Sequence, residues 1–245
     1  DPVKMHAKSL AAAASRQPLF EAGFIFGQTY ALADILVPVE EDKWDLIEVK
    51  SATQIKPEYQ EDIAFQKYVY QGAGLKIRRC YIMFLNRDYV RQGELEPGKL
   101  FRKENLDDRL VDILPAIPGR VERLLRLIAA KEEPEIKVGR QCSSPRDCLL
   151  EERCWEFLPE KDHVFHLSRG NQLAHRLLEQ GILHLKDIPP ETELNEKQQI
   201  QVRSHATGEP YIERAEIGKF LNKLSYPLYF LDFETIAPAL PLYDG

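Results

Sequence analysis

Hydrophobic and polar positions change rhythm several times along the chain, and each change marks an element. Residues 2–16 form an Ala-rich run that ends at Arg16-Gln17-Pro18, which predicts a helix stopped by proline. From Leu19 to Pro38 the rhythm becomes that of strands: Leu19 to Phe26, a turn signal at Gly27-Gln28, then Tyr30 to Val37. A charged loop, Glu40 to Lys43, leads into a third strand from Trp44 to Lys50, so the three segments predict an antiparallel meander. After a polar loop at 51–57, Glu58 to Ala73 carries helical signals and stops at Gly72-Ala73-Gly74. Arg79 to Leu85 is a continuous apolar run of strand length, as expected of a strand covered on both faces. Strand, helix and strand in that order predict a crossover, and with it an α/β fold whose mixed sheet is flanked by helices.

Gly119 to Glu133 predicts a further helix, with apolar residues at 121, 124, 125 and 128 on one stripe. A helical region follows over 168–224, joined by loops rich in Pro and Glu. Within it, Asn171 to Ile188 has the outline of a helix–hairpin–helix unit with Gly181 at its turn, a shape that suits contact with a DNA backbone. Leu173, Leu177, Leu178, Ile182 and Leu185 are equally consistent with plain helix packing. Tyr226 to Thr235 then turns abruptly β-like, and the chain ends ten residues later. One strand cannot bury its own faces, so this segment reads as the opening of another domain. The chain also begins without an initiator Met, so the sequence reads as a piece lacking both ends. The expected division is a first domain over 1–158, a helical connector over 159–224, and that opening strand over 225–245.

Composition narrows the class. With 44% hydrophobic and 29% charged residues the chain has the balance of an ordinary folded domain. No stretch approaches the ~18 apolar residues of a membrane span, and residues 1–14 carry no secretory pattern, so a cytoplasmic protein without a membrane partner is expected. A net charge of −6 argues against coating nucleic acid by electrostatics alone, but not against a nuclease, whose metal site needs carboxylates. Leu75 to Lys103 runs the other way, with eight basic and three acidic residues; a solvated face and a phosphate-binding surface both fit it. Three of the four cysteines, Cys142, Cys148 and Cys154, are spaced with five residues in each gap, which favours metal ligation over disulfides. Cys80 sits inside the apolar strand and reads as a core residue.

The candidate chemistry begins at Glu48-Val49-Lys50. Side chains alternate along a strand, so Glu48 and Lys50 share a face about 7 Å apart. Asp34, on the preceding strand, lies at a natural hairpin distance. Two converging carboxylates cannot both stay ionised cheaply without a cation, and Mg²⁺ or Mn²⁺ resolves the conflict while keeping waters for a phosphate. The Val49 carbonyl could add a ligand, and Lys50 could stabilise phosphate charge or orient the attacking water. An exposed Glu48–Lys50 ion pair on an edge strand fits the same residues. Gln66 and Tyr70, four apart, share a face of the next helix.

At this point the sequence resembles the RecB-like branch of the PD-(D/E)XK nucleases, whose members carry an Asp, then Glu-x-Lys, then Gln-x-x-x-Tyr on the following helix. The resemblance maps these onto Asp34, Glu48, Lys50, Gln66 and Tyr70. It implies a restriction-endonuclease-like fold, Asp34 and Glu48 as metal ligands, and Gln66 and Tyr70 as groups that orient substrate or Lys50. Glu21 is an accessory acidic candidate, with a solvent-facing strand residue as the alternative. Such sites often take a histidine from an upstream helix; His6 lies too close to the first strand to be read as that residue.

Some RecB-like nucleases bind a four-cysteine iron–sulphur cluster with one ligand before the core and three after it. Cys142, Cys148 and Cys154 resemble the trailing three, and a complete [4Fe–4S] site lacks its fourth cysteine here. Zinc held by these cysteines with His163 or His166 is the alternative, and three unliganded thiols the third. The sequence is also similar to a bacterial family that joins such a nuclease to an RNase H-like exonuclease domain. On that resemblance Asp232 and Glu234, in Phe-Leu-Asp-Phe-Glu-Thr, are the first acids of a second, truncated site; the exposed side of a docked strand is the alternative. The expected activity is metal-dependent hydrolysis of phosphodiesters, probed first as an exonuclease on DNA rather than RNA, in repair, recombination or defence. The competing classes are an idle DNA-binding or assembly module and a zinc-stabilised interaction module.

Overall fold

The computed structural model describes residues 1–244, and the chain divides into two compact units. The first comprises Asp1–Pro134 with the last residues from Glu234 onward; the second runs from Glu135 to Phe233.

The first unit opens with helix α1 (Pro2–Ala13). Pro2 suits the first helical position, and the Asp1 carboxylate accepts the Val3 and Lys4 amides at 2.9 and 3.3 Å. Strands β1 (Leu19–Phe26), β2 (Thr29–Val39) and β3 (Lys43–Lys50) then form the expected antiparallel meander. Arg16 fastens its second turn: the guanidinium donates to the carbonyls of Val39, Glu40 and Lys43 at 3.2, 2.8 and 2.9 Å, and lies over the Trp44 ring. Helix α2 (Pro57–Gly72) crosses over to β4 (Lys76–Leu85), which pairs parallel to β3. A short helix α3 (Pro97–Leu100) precedes β5 (Phe101–Asn105), antiparallel to β4 and unforeseen in the sequence because its Phe-Arg-Lys-Glu-Asn is mostly polar. Helices α4 (Asp107–Leu110) and α5 (Ile117–Ala129) complete the unit. The result is a mixed α/β fold with an open sheet in the order β1-β2-β3-β4-β5, flanked by helices.

The core lies between one sheet face and α2. Phe24, Leu36, Leu46 and Ile82 from the sheet meet Ile63, Val69 and Tyr70 from the helix, all fully buried. Each such side chain contributes about 1.5–3 kcal/mol by leaving water. The expectation that Arg79–Leu85 is covered on both faces needs correction. Cys80, Ile82 and Phe84 are buried, whereas Tyr81, Met83 and Leu85 are only half-buried on the other face, where Lys103 lies over the Tyr81 ring. Cys80 is the core residue expected, and burial pushes its thiol up to about 12.

Helix α1 covers the free edge of β1. The Gly23 amide donates to Ser9 Oγ at 3.0 Å and the Ile25 amide to His6 Nδ1 at 3.1 Å, so two side chains one helical turn apart take the alternate donors of the edge. The approach is close enough that a Cβ on Gly23 would collide with Met5 and the Tyr30 hydroxyl.

The β1–β2 hairpin changes face midway. Leu19 and Leu36 are a buried pair, and the next buried pair is Ala22 with Ala33, three residues on in each strand. A regular strand buries every second residue, so both strands turn over at one place. That place is Glu21 opposite Asp34, the position skipped in the ladder between Phe20–Ile35 and Ala22–Ala33. Glu21 has φ +51°, a left-handed conformation costly for any residue but glycine.

In the second unit a small core of Val164, Leu167, Ala174, Leu177, Leu185 and Ile188, with Val202 packed against it, joins two of its four short helices, the second and third. The four are α6 (Glu151–Cys154), α7 (Asn171–Glu179), α8 (Glu196–Thr207) and α9 (Arg214–Leu221). Gly181, at φ +77°, makes the turn after α7 as expected, but a single 3-10 turn over Leu185–Asp187 follows in place of a second full helix. Asn195 caps α8 with a reciprocal bond to Gln198, whose Nε2 donates to the Ser168 carbonyl at 3.0 Å. Tyr226 to Thr235, expected as a strand, forms none; no neighbouring strand pairs with it among the described residues, and Tyr229 and Phe230 stand almost wholly exposed. No helix among the described residues is long and apolar enough to cross a membrane.

Glycine at position 21 removes the left-handed penalty. Glu21→Gly is expected to leave stability unchanged or raise it by up to ~1 kcal/mol in urea denaturation, whereas Glu21→Val lowers it by ~1 kcal/mol or more.

Candidate active site

The site forms where β2 leaves β3. Their ladder runs from Val39–Lys43 to Ile35–Ile47 and stops there, so its next position would set Asp34 opposite Glu48. Past that point the Val49 amide has no strand partner on this side, and the Asp34 carboxylate accepts it at 2.6 Å. A side chain thus replaces a backbone acceptor, which ties the acid of β2 to the middle of Glu48-Val49-Lys50.

Glu48 is 6% exposed and faces α2. One carboxylate oxygen meets the Lys50 ammonium at 2.7 Å, and the other accepts the Gln66 amide at 2.8 Å. Burial raises the proton affinity of Glu48 above the usual carboxylate value, and the Asp34 carboxylate adds to it; Lys50 and Gln66 oppose both. Lys50 is also held by Asp62, at 3.0 Å, and lies over the Tyr59 ring at 5.1 Å. Burial works against the Lys50 charge, but Glu48 and Asp62 outweigh it and hold its pKa above the ordinary value. Tyr70 is fully buried, and burial, then the charges of Glu48 and Asp34, keep its phenol neutral. The Tyr70 hydroxyl and Gln66 Oε1 are buried without a hydrogen-bond partner among the described residues.

The structure therefore brings Asp34, Glu48, Val49, Lys50, Gln66 and Tyr70 together. Asp62 and Tyr59 were missed in the sequence. Asp62, Gln66 and Tyr70 fall at i, i+4 and i+8, a polar line on the helix face that also carries buried Ile63 and Val69 neighbours, and that line was the available signal. Glu21 stands in line with Asp34 and Glu48 across the three strands, yet its side chain is exposed at the face change. His6 serves the strand edge, as described above.

Of the basic run, Lys76, Arg78, Arg91, Lys99 and Arg102 each form an ion pair with a carboxylate, so most of its charge is neutralised locally. In the second unit the Cys148 amide donates to the Cys142 carbonyl at 2.7 Å, and Cys154 ends α6; all three thiols are free. Asp232 accepts the adjacent Phe233 amide at 2.8 Å, on the same irregular run as Glu234. No group of three or more His, Cys, Asp or Glu side chains able to hold an ion occurs among the described residues. Asp34 and Glu48 are a pair of hard oxygen donors, a set that suits an ion retaining most of its water and not one held by a full protein cage.

Glu48 also sets a pH dependence. Its folded-state proton affinity is raised, so its contribution to stability is full below the unfolded carboxylate pKa and is lost as pH rises through the folded value. In a metal-free buffer at pH 8, Glu48→Gln is expected to raise the thermal midpoint by ~2–4 °C, on the order of 1 kcal/mol, while keeping the Gln66 contact. The gain should shrink as pH falls towards the usual carboxylate range; a variant less stable than the parent at pH 8 contradicts the assignment.

No family model and no curated protein matches this chain. Among solved structures, the one titled "Crystal structure of SSO0001" aligns over 55% of this chain and 60% of its own, at 11% identity and a TM-score of 0.23. The chain thus spans about 60% of that protein's length.

Proposed function

We propose that the first unit is a metal-dependent nuclease that hydrolyses DNA phosphodiesters, acting as an exonuclease. The observation that carries this reading is the Asp34 carboxylate bound to the Val49 amide, which sets a second acid beside the buried Glu48–Lys50 pair. Asp34 and Glu48, with the Val49 carbonyl, would hold Mg²⁺ or Mn²⁺. Bound there, such an ion supplies Lewis acidity and a more acidic water. In hydrolysis the water oxygen bonds to phosphorus, the P–O bond to the leaving sugar oxygen breaks, and that oxygen takes up a proton. Lys50 stabilises the charge that builds on the phosphate oxygens. Gln66 and Tyr70, each with a buried polar atom lacking a partner, orient Lys50 and the phosphate group.

A second reading is a DNA-binding or assembly module whose site is idle. It is favoured by the Lys50 ammonium being engaged by both Glu48 and Asp62, which leaves it little freedom to meet a phosphate. Cleavage of single-stranded DNA with Mg²⁺ or Mn²⁺ separates the two. Lys50→Ala and Asp34→Ala are each expected to lower the rate by about 10²–10³-fold, with folding intact by circular dichroism. Variants that cut as fast as the parent sink the nuclease reading.

For the second unit we propose that Cys142, Cys148 and Cys154 hold metal, iron–sulphur in preference to zinc with His163 or His166. Anaerobically purified protein is then expected to absorb near 400 nm and to carry iron; a colourless protein with bound zinc favours the zinc-stabilised module, and one with neither metal leaves the cysteines as free thiols.

A further inference from the structure

We propose that the second unit binds single-stranded nucleic acid, with phosphates against Lys137, Arg140 and Arg176 and one unstacked base against the cluster of Trp155, Phe165 and His175. The choice of nucleic acid over other phosphate esters rests on the nuclease reading of the first unit; the site itself rests on two adjoining cavities.

The first cavity, about 850 Å³, is walled by Lys137, Arg140 and Arg176 on one side and reaches His175 on the other. These three cations form no ion pair among the described residues, in contrast to the basic run of the first unit, where carboxylates occupy five of the eight. Glu179 is the cavity's one acidic wall residue and it pairs with none of them. The cationic field reaches His175, whose proton affinity is lowered first by burial and then by Arg140, with Glu179 opposing in part. Unpaired arginines converging on an open concavity are the arrangement that takes phosphate oxygens bidentately.

The second cavity, about 330 Å³, shares His175 with the first; Trp155, Phe165 and His163 give it an aromatic wall, and Glu151 and Asn171 stand among its polar lining. Trp155 and Phe165 meet edge to face at 4.9 Å, and Phe165 and His175 do so at 5.0 Å, so the three rings pack as one aromatic cluster that lines the cavity. Two buried groups there lack a hydrogen-bond partner among the described residues: the Trp155 indole N–H and His163 Nδ1. A buried donor without an acceptor is expensive, and a nucleobase edge carries acceptors while its face stacks on a ring. His175, kept neutral by its surroundings, offers a face without adding charge. A cationic groove beside an aromatic pocket is what single strands need, because their bases are free to leave the stack.

The test uses the whole chain in EDTA at low salt, so that binding is read without cleavage. Trp44 is buried in the first unit's core, so quenching of tryptophan fluorescence reports on Trp155. A short oligothymidylate is expected to bind with quenching. The double variant Arg140→Ala/Arg176→Ala should weaken binding at least tenfold and reduce the slope of log affinity against log salt by about 1.4, the share of two phosphates. Both arginines are exposed, so this variant is expected to fold. Absence of binding, unchanged affinity in the double variant, equal binding of duplex DNA, or equal binding of thymidine monophosphate overturns the proposal. Loss of the nuclease reading shows separately, as a lack of metal-dependent cleavage alongside this binding.

Discussion

The hydrogen bond from the Val49 amide to the Asp34 carboxylate is the interaction on which the first unit's site depends. β2 is shared between two partners, β1 and β3, and it cannot follow both once the hairpin turns over at Glu21. The ladder to β3 ends, and a strand amide in the middle of the sheet is left to be satisfied. A carboxylate on the departing strand does this in one contact. The fold's irregularity and the acid's position are therefore one fact: the turn-over opens the gap between strands, and the acid both bridges it and faces Glu48.

Electrostatics give that gap its character. Asp34, Glu48 and Asp62 present three carboxylates against the single ammonium of Lys50. Burial is the main reason Glu48 binds its proton more tightly than usual while remaining hydrogen-bonded on both oxygens, and the Asp34 charge, which Lys50 does not neutralise, adds to it. Burying an ion pair is at best neutral for stability. A residue arrangement that stabilised folding alone would place apolar side chains at 48 and 50, continuing Trp44 and Leu46 on the same face. Its polarity is therefore not accounted for by folding stability alone.

The meander, crossover and core helix were legible because each announces itself by period and punctuation: Gly27, Pro57 and Gly74 fall where chain reversals need them. Glu48 and Lys50 were legible because strand alternation fixes their shared face from spacing alone, and Asp34 because it lies at hairpin distance on the preceding strand. Two features were not. The turn-over at Glu21 leaves no mark in composition, since alanines and leucines suit either face of a strand. Asp62 was hidden because an acid near a helix start is ordinary there, and its partner lies 12 residues back on another element. The β-like run at 226–235 shows the converse: propensity describes what a segment tolerates, and a strand exists only when another strand supplies its hydrogen bonds.

Charge behaves in the same way. Leu75 to Lys103 has the densest run of basic residues in the sequence, and in space five of its eight cations meet carboxylates, three of them from far off along the chain: Asp42 for Lys76, Asp45 and Glu40 for Arg78, Asp244 for Arg91. Lys137, Arg140 and Arg176 are unremarkable along the chain, separated by up to 39 residues between the first and last, yet they share one cavity and form no ion pair with its single acid, Glu179. The second arrangement is the one proposed to take phosphates, because charge left unpaired at a concave surface attracts them. A run of like charge in sequence states only the supply of cations. Whether any remain free for a polyanion is decided by the acids that folding brings beside them.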